Sequence, residues 1–409
     1  MRKKPLKLLG RVLSRLLILL LLVFLGYVAY LFLTYHRLPD ASGQHTNRTE
    51  NTVEAGKAYT ALTWNLGFGA YNRDFSFFMD GGVESRARSI QHVYDNVIHC
   101  VDLAVSLAPD FLLFQEVDRD ADRSWHINEE EVIQEALGGK YQSYYAQNYN
   151  SAYLFFPITH PHGAARSGLL TFSNRDVFRS ERRSLPVEKS WRKLLDLDRC
   201  YSVCHIPADN GRELCLFNLH LSAYSADGAV AAEQLGMLLA HMKSEYDNGN
   251  YVLAGGDFNK DLLGNSGAIF GISGEKYTWA QPIDSGMIPA GFQLVDSLDE
   301  AHPVPSCRNC DTGYVPGKTF VVTVDGFIVS DNIDVLDCRV IDDDFQCSDH
   351  NPVALRFRLR DDLPPLPTAT PDPDATPDPD ATPDPDATDA PADGATPEPT
   401  ADPTEGPAT

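Results

Sequence analysis

Asp349 and His350 stand side by side in Cys347-Ser348-Asp349-His350-Asn351-Pro352-Val353 and place a metal-ligating carboxylate next to a proton carrier. Upstream, several apolar runs end in polar residues of the same kind. Trp64-Asn65-Leu66 presents Asn65, Phe114-Gln115-Glu116-Val117-Asp118 presents Glu116, and Asn218-Leu219-His220-Leu221 presents His220. Gly256-Asp257-Phe258-Asn259 presents Asp257 and Asn259, and Asp325 sits inside the apolar run 320–329. These residue types suit hydrolysis of a phosphate ester. Oxygen donors without a soft set favour Mg²⁺, with Mn²⁺ or Ca²⁺ as alternatives. A carboxylate can take a proton from water, and histidines can donate to phosphate oxygens or protonate a leaving group.

Each residue also has a plain structural reading. Asn ends strands through turn chemistry, Asp257-Phe258-Asn259 makes a turn by itself, and His220 alone could be a satisfied core histidine. Asp325 alone would most simply be a structural hydrogen-bond acceptor, because a carboxylate among apolar neighbours needs a partner. What favours a site is recurrence at successive strand ends, where layered α/β proteins build active sites. A nucleophile elbow of the form Gly-x-Ser-x-Gly is missing, and Gly255-Gly256 lacks the lysine of a phosphate-binding loop.

The elements that must hold these residues can be read from periodicity. Residues 59–66 alternate as a strand, and 111–114, 214–221 and 251–254 are short apolar runs of buried-strand type. Ile90, Val93, Val97, Val101 and Ala104 recur at helical spacing, so a helix is expected over 84–107, stopped by Pro109. A second helix is expected over 229–246 and one long strand over 320–329. Strands mixed with helices predict a layered α/β domain.

With these clusters in this order, the chain resembles the endonuclease/exonuclease/phosphatase superfamily of deoxyribonuclease I-like enzymes over residues 59–359. The motifs that carry the resemblance are Gln115-Glu116, Gly256-Asp257-Phe258-Asn259 and Ser348-Asp349-His350-Asn351-Pro352-Val353, with Asn65, His220, Asp325 and the run 167–173 in matching order. The resemblance implies a four-layer α/β/β/α sandwich with two central mixed sheets and the site at one end. It implies Glu116 as principal Mg²⁺ ligand with Asn65 assisting, and Asp349 at the metal directly or through water. Asp257 would orient or deprotonate water, Asn259 would hold phosphate, and His220 and His350 would flank the scissile phosphate, with Asp325 orienting His350. Gly67 stands where the abasic-site repair branch carries an acid, which weakens a match to that branch. The aromatic segment 68–82 is expected either to line the substrate cleft or to pack as a surface loop. Arg166 reads as a surface ion pair, Arg86 and Arg88 as the solvated face of the first helix, and His160 and His162 as solvated loop residues.

Composition sets the frame. Residues 16–35 form an uncharged apolar run preceded by Arg2, Lys3, Lys4, Lys7, Arg11 and Arg15. At about 1.5 Å per residue, 20 residues cross roughly 30 Å of hydrocarbon. The charge asymmetry predicts a single-pass cell-membrane anchor with its N-terminus cytoplasmic and an exported body. A cleaved signal peptide is the rival reading, disfavoured by the length of the run and by the lack of a small-x-small site. The expected organisation is 1–37 cytoplasmic stretch and anchor, 38–58 juxtamembrane linker, 59–360 catalytic domain and 361–409 disordered acidic tail. Residues 38–360 hold 27 basic and 44 acidic groups, a net −17, so the body has no basic excess for tight nonspecific polyanion binding. Nucleic acid, phospholipid head groups and small phosphodiesters all remain as substrate classes, and a binding protein on the same fold is the alternative to an enzyme. Eight cysteines in an exported chain suggest disulfides; Cys307-Arg308-Asn309-Cys310 is expected to close a loop disulfide rather than half a zinc site, and Cys100 to be a buried thiol. Asn47-Arg48-Thr49 matches a glycosylation sequon.

Overall fold

The computed structural model describes residues 3–45, 50–189, 193, 198–223, 229–274, 276–277, 279–364 and 366. The Asn47 sequon and the acidic tail beyond 366 lie outside the described residues. In chain order the strands are β1 (Ala41–Gln44), β2 (Ala58–Asn65), β3 (Phe111–Ala121), β4 (Gln142–Leu154), β5 (Gly163–Ser173), β6 (Arg179–Ser184), β7 (Cys200–Pro207) and β8 (Glu213–His220). They continue as β9 (Tyr251–Asp257), β10 (Phe292–Leu294), β11 (Cys307–Arg308), β12 (Val321–Val322), β13 (Asp325–Ser330), β14 (Ile333–Val340) and β15 (Val353–Leu359). The long helices are α1 (Lys3–Thr34), α2 (Ile90–Ser106), α3 (Glu129–Leu137) and α4 (Ala229–Asp247).

Two mixed sheets pack face to face. One runs β1-β6-β7-β8-β9-β13-β10 and the other β14-β15-β2-β3-β5-β4. Tyr59, Phe111, Leu113, Leu216, Leu253, Phe327, Leu355 and Phe357 fill the space between them. The outer face of the second sheet carries Val93, Val97, Val101 and Ala104 of α2 against Trp64, Leu112 and Phe114. The outer face of the first carries Leu235, Leu238 and Met242 of α4 against Phe217 and Val252. The four-layer α/β/β/α sandwich follows, because each sheet has an apolar set on both faces and needs a helix layer outside.

Three boundaries differ from expectation. The first helix begins at Ile90, not 84: Ser89 is extended and its side chain accepts from His92 N, an N-cap. Arg88 therefore lies before the helix, paired with Asp74 and Glu84. The run 320–329 is broken, since Thr323 and Val324 turn their carbonyls to Leu262 N and Phe258 N. Asp325 thus opens β13 instead of lying inside a strand. The juxtamembrane stretch contributes β1, which pairs antiparallel with β6 and covers an otherwise open edge.

α1 contains a segment, Lys7–Thr34, long and apolar enough to cross a membrane.

Candidate active site

The two sheets bring the ends of their central strands to one rim. β8 and β9 run parallel with His220 opposite Asp257, and β9 and β13 run antiparallel with Asp257 opposite Asp325. Register alone therefore lines up an imidazole and two carboxylates across three strands. Gly256 makes this possible. Its φ is +155°, and a Cβ there would stand 2.1 Å from the Leu219 carbonyl oxygen. In the other sheet β2 and β3 run parallel with Asn65 opposite Gln115.

The next residue, Glu116, interrupts the β3–β5 ladder between Phe114 and Val117 and has φ +54°. A non-glycine residue held in that region costs about 1–3 kcal/mol and persists only where its surroundings impose it. Here the bulge turns the carboxylate into the cavity. Asn259, at φ +49°, is held the same way, with its N–H on Asp257 Oδ1 (2.8 Å) and its Nδ2 on Leu221 O (2.8 Å).

The loop after β14 is fixed by Ser348, whose Oγ donates to Asn65 O (2.6 Å) and accepts from His350 N (3.1 Å). Trp64 Nε1 donates to His350 O at 2.8 Å. His350 Nδ1 then donates to Asp325 Oδ2 at 2.7 Å, and Ser306 Oγ donates to the same oxygen at 2.7 Å. Asn65 Nδ2 reaches Glu116 Oε1 (3.3 Å) and Asp257 Oδ2 (3.1 Å).

Seven of the eight expected residues, Asn65, Glu116, His220, Asp257, Asn259, Asp349 and His350, line one cavity of about 380 Å³. The eighth, Asp325, is fully buried behind His350.

Burial separates the proton affinities of these groups. Burial disfavours the His350 imidazolium, yet Asp325 beside it outweighs that and raises His350 well above the ordinary histidine range. Burial, then the charges of Arg199 and His350, hold His220 well below that range. Asp257 is pushed up to about 7 by burial and by Asp325. Glu116 is raised by burial, an effect opposed by Arg123 and increased by the charge of Asp349.

Glu116 and Asp349 thus repel each other across a rim of hard oxygen donors, and a divalent cation fits that set. Asn65 offers less: its Oδ1 already accepts from Gly67 N (3.0 Å), and its Nδ2 faces the carboxylates. Asp257, Asp325 and His350 also lie close enough to hold an ion. The 2.7 Å His350–Asp325 hydrogen bond already engages the facing atoms of that pair.

Several site residues carried no clear sequence signal. Five buried polar atoms among the lining residues have no protein partner: Asn148 Nδ2, Ser167 Oγ, His220 Nδ1, Arg308 Nε and Asn309 Nδ2. Arg123 lines the cavity while paired with Asp118 at 2.9 Å, and Arg199 and Arg308 line it too. His162 is a correction. It is buried, not solvated, donates from Nδ1 to Ser85 O (3.0 Å), and lines the cavity. Of the segment 68–82, Phe68, Tyr71, Phe77, Met79 and Asp80 line the cavity. Arg166 is exposed and pairs with Asp120 at 3.4 Å, the ordinary surface contact expected of it.

The loop disulfide does not form. All eight cysteines are free. Cys307 Sγ faces His350 Nε2 at 3.5 Å and Cys310 Sγ faces Asp349 Oδ2 at 3.4 Å, so the two thiols serve the site residues instead of each other. Burial pushes the Cys307 thiol up to about 12. Cys100 is a buried thiol, as its helical position suggested.

No protein-family model and no curated protein matches this sequence. Solved structures do match. An endonuclease/exonuclease/phosphatase from Beutenbergia cavernae DSM 12333 is 16% identical, with a TM-score of 0.53 over 74% of this chain and 72% of that one. ANGEL2, a 2′,3′-cyclic phosphatase, in complex with adenosine-2′,3′-vanadate is 15% identical, with a TM-score of 0.50 over 79% of this chain and 99% of that one. At these identities the likeness is one of fold.

Proposed function

We propose that this chain, whose fold is that of the endonuclease/exonuclease/phosphatase superfamily, is a divalent-metal-dependent phosphodiesterase anchored in a membrane by α1 with its body on the extracytoplasmic side. The observation that carries this reading is the convergence of seven site residues on one cavity, with two histidines of opposite protonation tendency inside it. Glu116 and Asp349, with Asn65 beside them, would hold Mg²⁺, or Mn²⁺ or Ca²⁺ in its place, and the bound ion would supply charge neutralisation at the phosphate.

The protein's own groups do the rest. His350, kept charged by Asp325, donates a hydrogen bond to a phosphoryl oxygen or a proton to the leaving oxygen. Asp257 lies 3.5 Å from His220 Nε2 and 3.8 Å from His350 Nε2, at the centre of the group. A proton affinity near neutrality suits it to take a proton from the attacking water. His220 is neutral, lines the cavity, and orients a phosphoryl oxygen without adding charge. Asn148, Ser167 and Asn309 complete the polar lining of the same cavity.

The test uses the purified full chain with Mg²⁺ or with chelator against DNA, RNA, phospholipids and a chromogenic phosphodiester, with His220→Ala as control. Chelator-sensitive turnover that the control lacks is the expected result. No chelator-sensitive turnover on any of them would favour a binding protein on this fold.

A further inference from the structure

We propose that the tip of the β4–β5 hairpin, residues 154–158, inserts into the outer leaflet beside α1 and sets the cavity mouth against the bilayer, so that the ester entering it belongs to a lipid of that leaflet. The proposal rests on the anchoring and the phosphodiesterase activity proposed above.

Among the described residues outside α1, twelve large apolar side chains are exposed, and five of them are more than half exposed: Met79 (52%), Val83 (81%), Phe155 (56%), Phe156 (66%) and Ile158 (86%). All five belong to the hairpin tip or to the segment 76–85 stapled to it. Phe78 packs on Phe156 with ring centroids 5.7 Å apart, and Ser85 Oγ donates to His160 O at 2.5 Å. Residues 151–165 contain no Asp, Glu, Lys or Arg. The hairpin tip is thus uncharged, while Asp80 and Glu84 of segment 76–85 are taken up by the cavity lining and by Arg88; an apolar surface of this kind marks an interaction site.

The occupant follows from α1. Tyr27 donates from its hydroxyl to Tyr153 O (3.1 Å) and packs edge-on against Phe155 at 5.0 Å, and Tyr153 N donates to the Tyr30 hydroxyl (3.2 Å). The hairpin therefore meets the helix at Tyr27, seven residues before its end at Thr34, which is about 10 Å along the axis. If Tyr27 stood at the water boundary, only the eleven residues 16–26 would separate it from Arg15, about 17 Å, against the ~30 Å of a hydrocarbon core. A span of full thickness has to include Tyr27, and the hairpin tip enters the leaflet with it. Phe77, Met79 and His162, which connect this corner to the cavity, put its entrance at the lipid surface.

The full chain is reconstituted into phosphatidylcholine–sphingomyelin vesicles containing nitroxide-labelled lipid. A bimane label on Ile158→Cys is compared with labels on Phe24→Cys in the span and Leu336→Cys on β14, the sheet edge opposite β4. We expect quenching at 158 and at 24 and none at 336. Quenching at 24 with none at 158 overturns hairpin insertion while leaving the anchor standing. No quenching at 24 overturns the anchor and the insertion with it.

The second arm is the triple variant Phe155→Ser, Phe156→Ser, Ile158→Ser. Its turnover of a vesicle-borne phosphodiester lipid should fall by about tenfold or more, and its turnover of a soluble chromogenic diester should stay within about twofold. Loss on both substrates alike, or on neither, overturns the link between insertion and substrate. A wild-type protein that cleaves soluble nucleic acid and leaves vesicle lipid intact overturns the lipid assignment alone. One that cleaves nothing removes the phosphodiesterase reading, and with it the substrate assignment, while the quenching result still decides insertion.

Discussion

Asn65 Nδ2 and Asp257 Oδ2 lie 3.1 Å apart and tie the end of β2 in one sheet to the end of β9 in the other. The site is therefore assembled across the sandwich, and Asp257 receives its contacts from both sheets. Replacing it with Asn preserves shape and one of the two hydrogen bonds it accepts, from Asn65 Nδ2 or from Asn259 N, but removes the proton acceptor. For Asp257→Asn we expect kcat on a phosphodiester to fall by about 10²–10⁴ with KM changed little, since general acid–base catalysis contributes on that order. Steady-state kinetics beside an unchanged circular dichroism spectrum checks it. A KM effect alone would move Asp257 from the reaction to substrate binding.

Asp325 and His350 form one unit, joined by a 2.7 Å hydrogen bond in a buried setting. Groups that act as a unit are not additive. Asp325→Asn and His350→Gln should each cost about as much kcat as the double variant, within roughly tenfold. Additive losses in the double-mutant cycle would show that the two act separately. In Asp325→Asn, the His350 imidazole should also lose its raised proton affinity, read by NMR titration.

Glu116 and Asp349 are the donors best suited to a hard cation. Glu116→Gln should abolish most of the Mg²⁺-dependent turnover and weaken Mn²⁺ binding by about 10-fold or more in calorimetry. Thermal unfolding without metal should not suffer, because burial and Asp349 both work against the native Glu116 charge. Unchanged Mn²⁺ affinity would remove Glu116 from the metal site.

Much of this was legible in the chain because strand ends are marked locally: an apolar run stops at Asn65, His220 or Asp257, and the residue that stops it faces the rim. The superfamily resemblance supplied the four layers with two central sheets, which periodicity alone does not carry. What could not be read depends on contacts between distant segments. His162 follows Pro161 in what looks like a polar loop, and only the packing of the 68–85 segment buries it. Cys307 and Cys310 have a loop-disulfide spacing, yet their partners are His350 and Asp349, 43 and 39 residues on in sequence and beside them in space. The 320–329 run breaks because Phe258 and Leu262 take its carbonyls, a demand that its own residues do not reveal.

His162 also gives the fold a pH dependence of definite sign. Burial first, then the charge of Arg123, lower it to about 4, whereas in the unfolded chain it returns to the ordinary value near 6.5. Between those values the unfolded chain binds more protons, so stability rises with pH in that window. The penalty is absent above about pH 6.5, grows as the pH falls and saturates below about 4. From pH 7 to pH 5 this single group should cost about 2 kcal/mol. His162→Asn keeps a donor for Ser85 O without the titration. In urea unfolding in detergent, the wild-type chain should lose about 2 kcal/mol more than His162→Asn over that interval. Equal losses in the two proteins would mean that His162 is hydrated and titrates alike in both states.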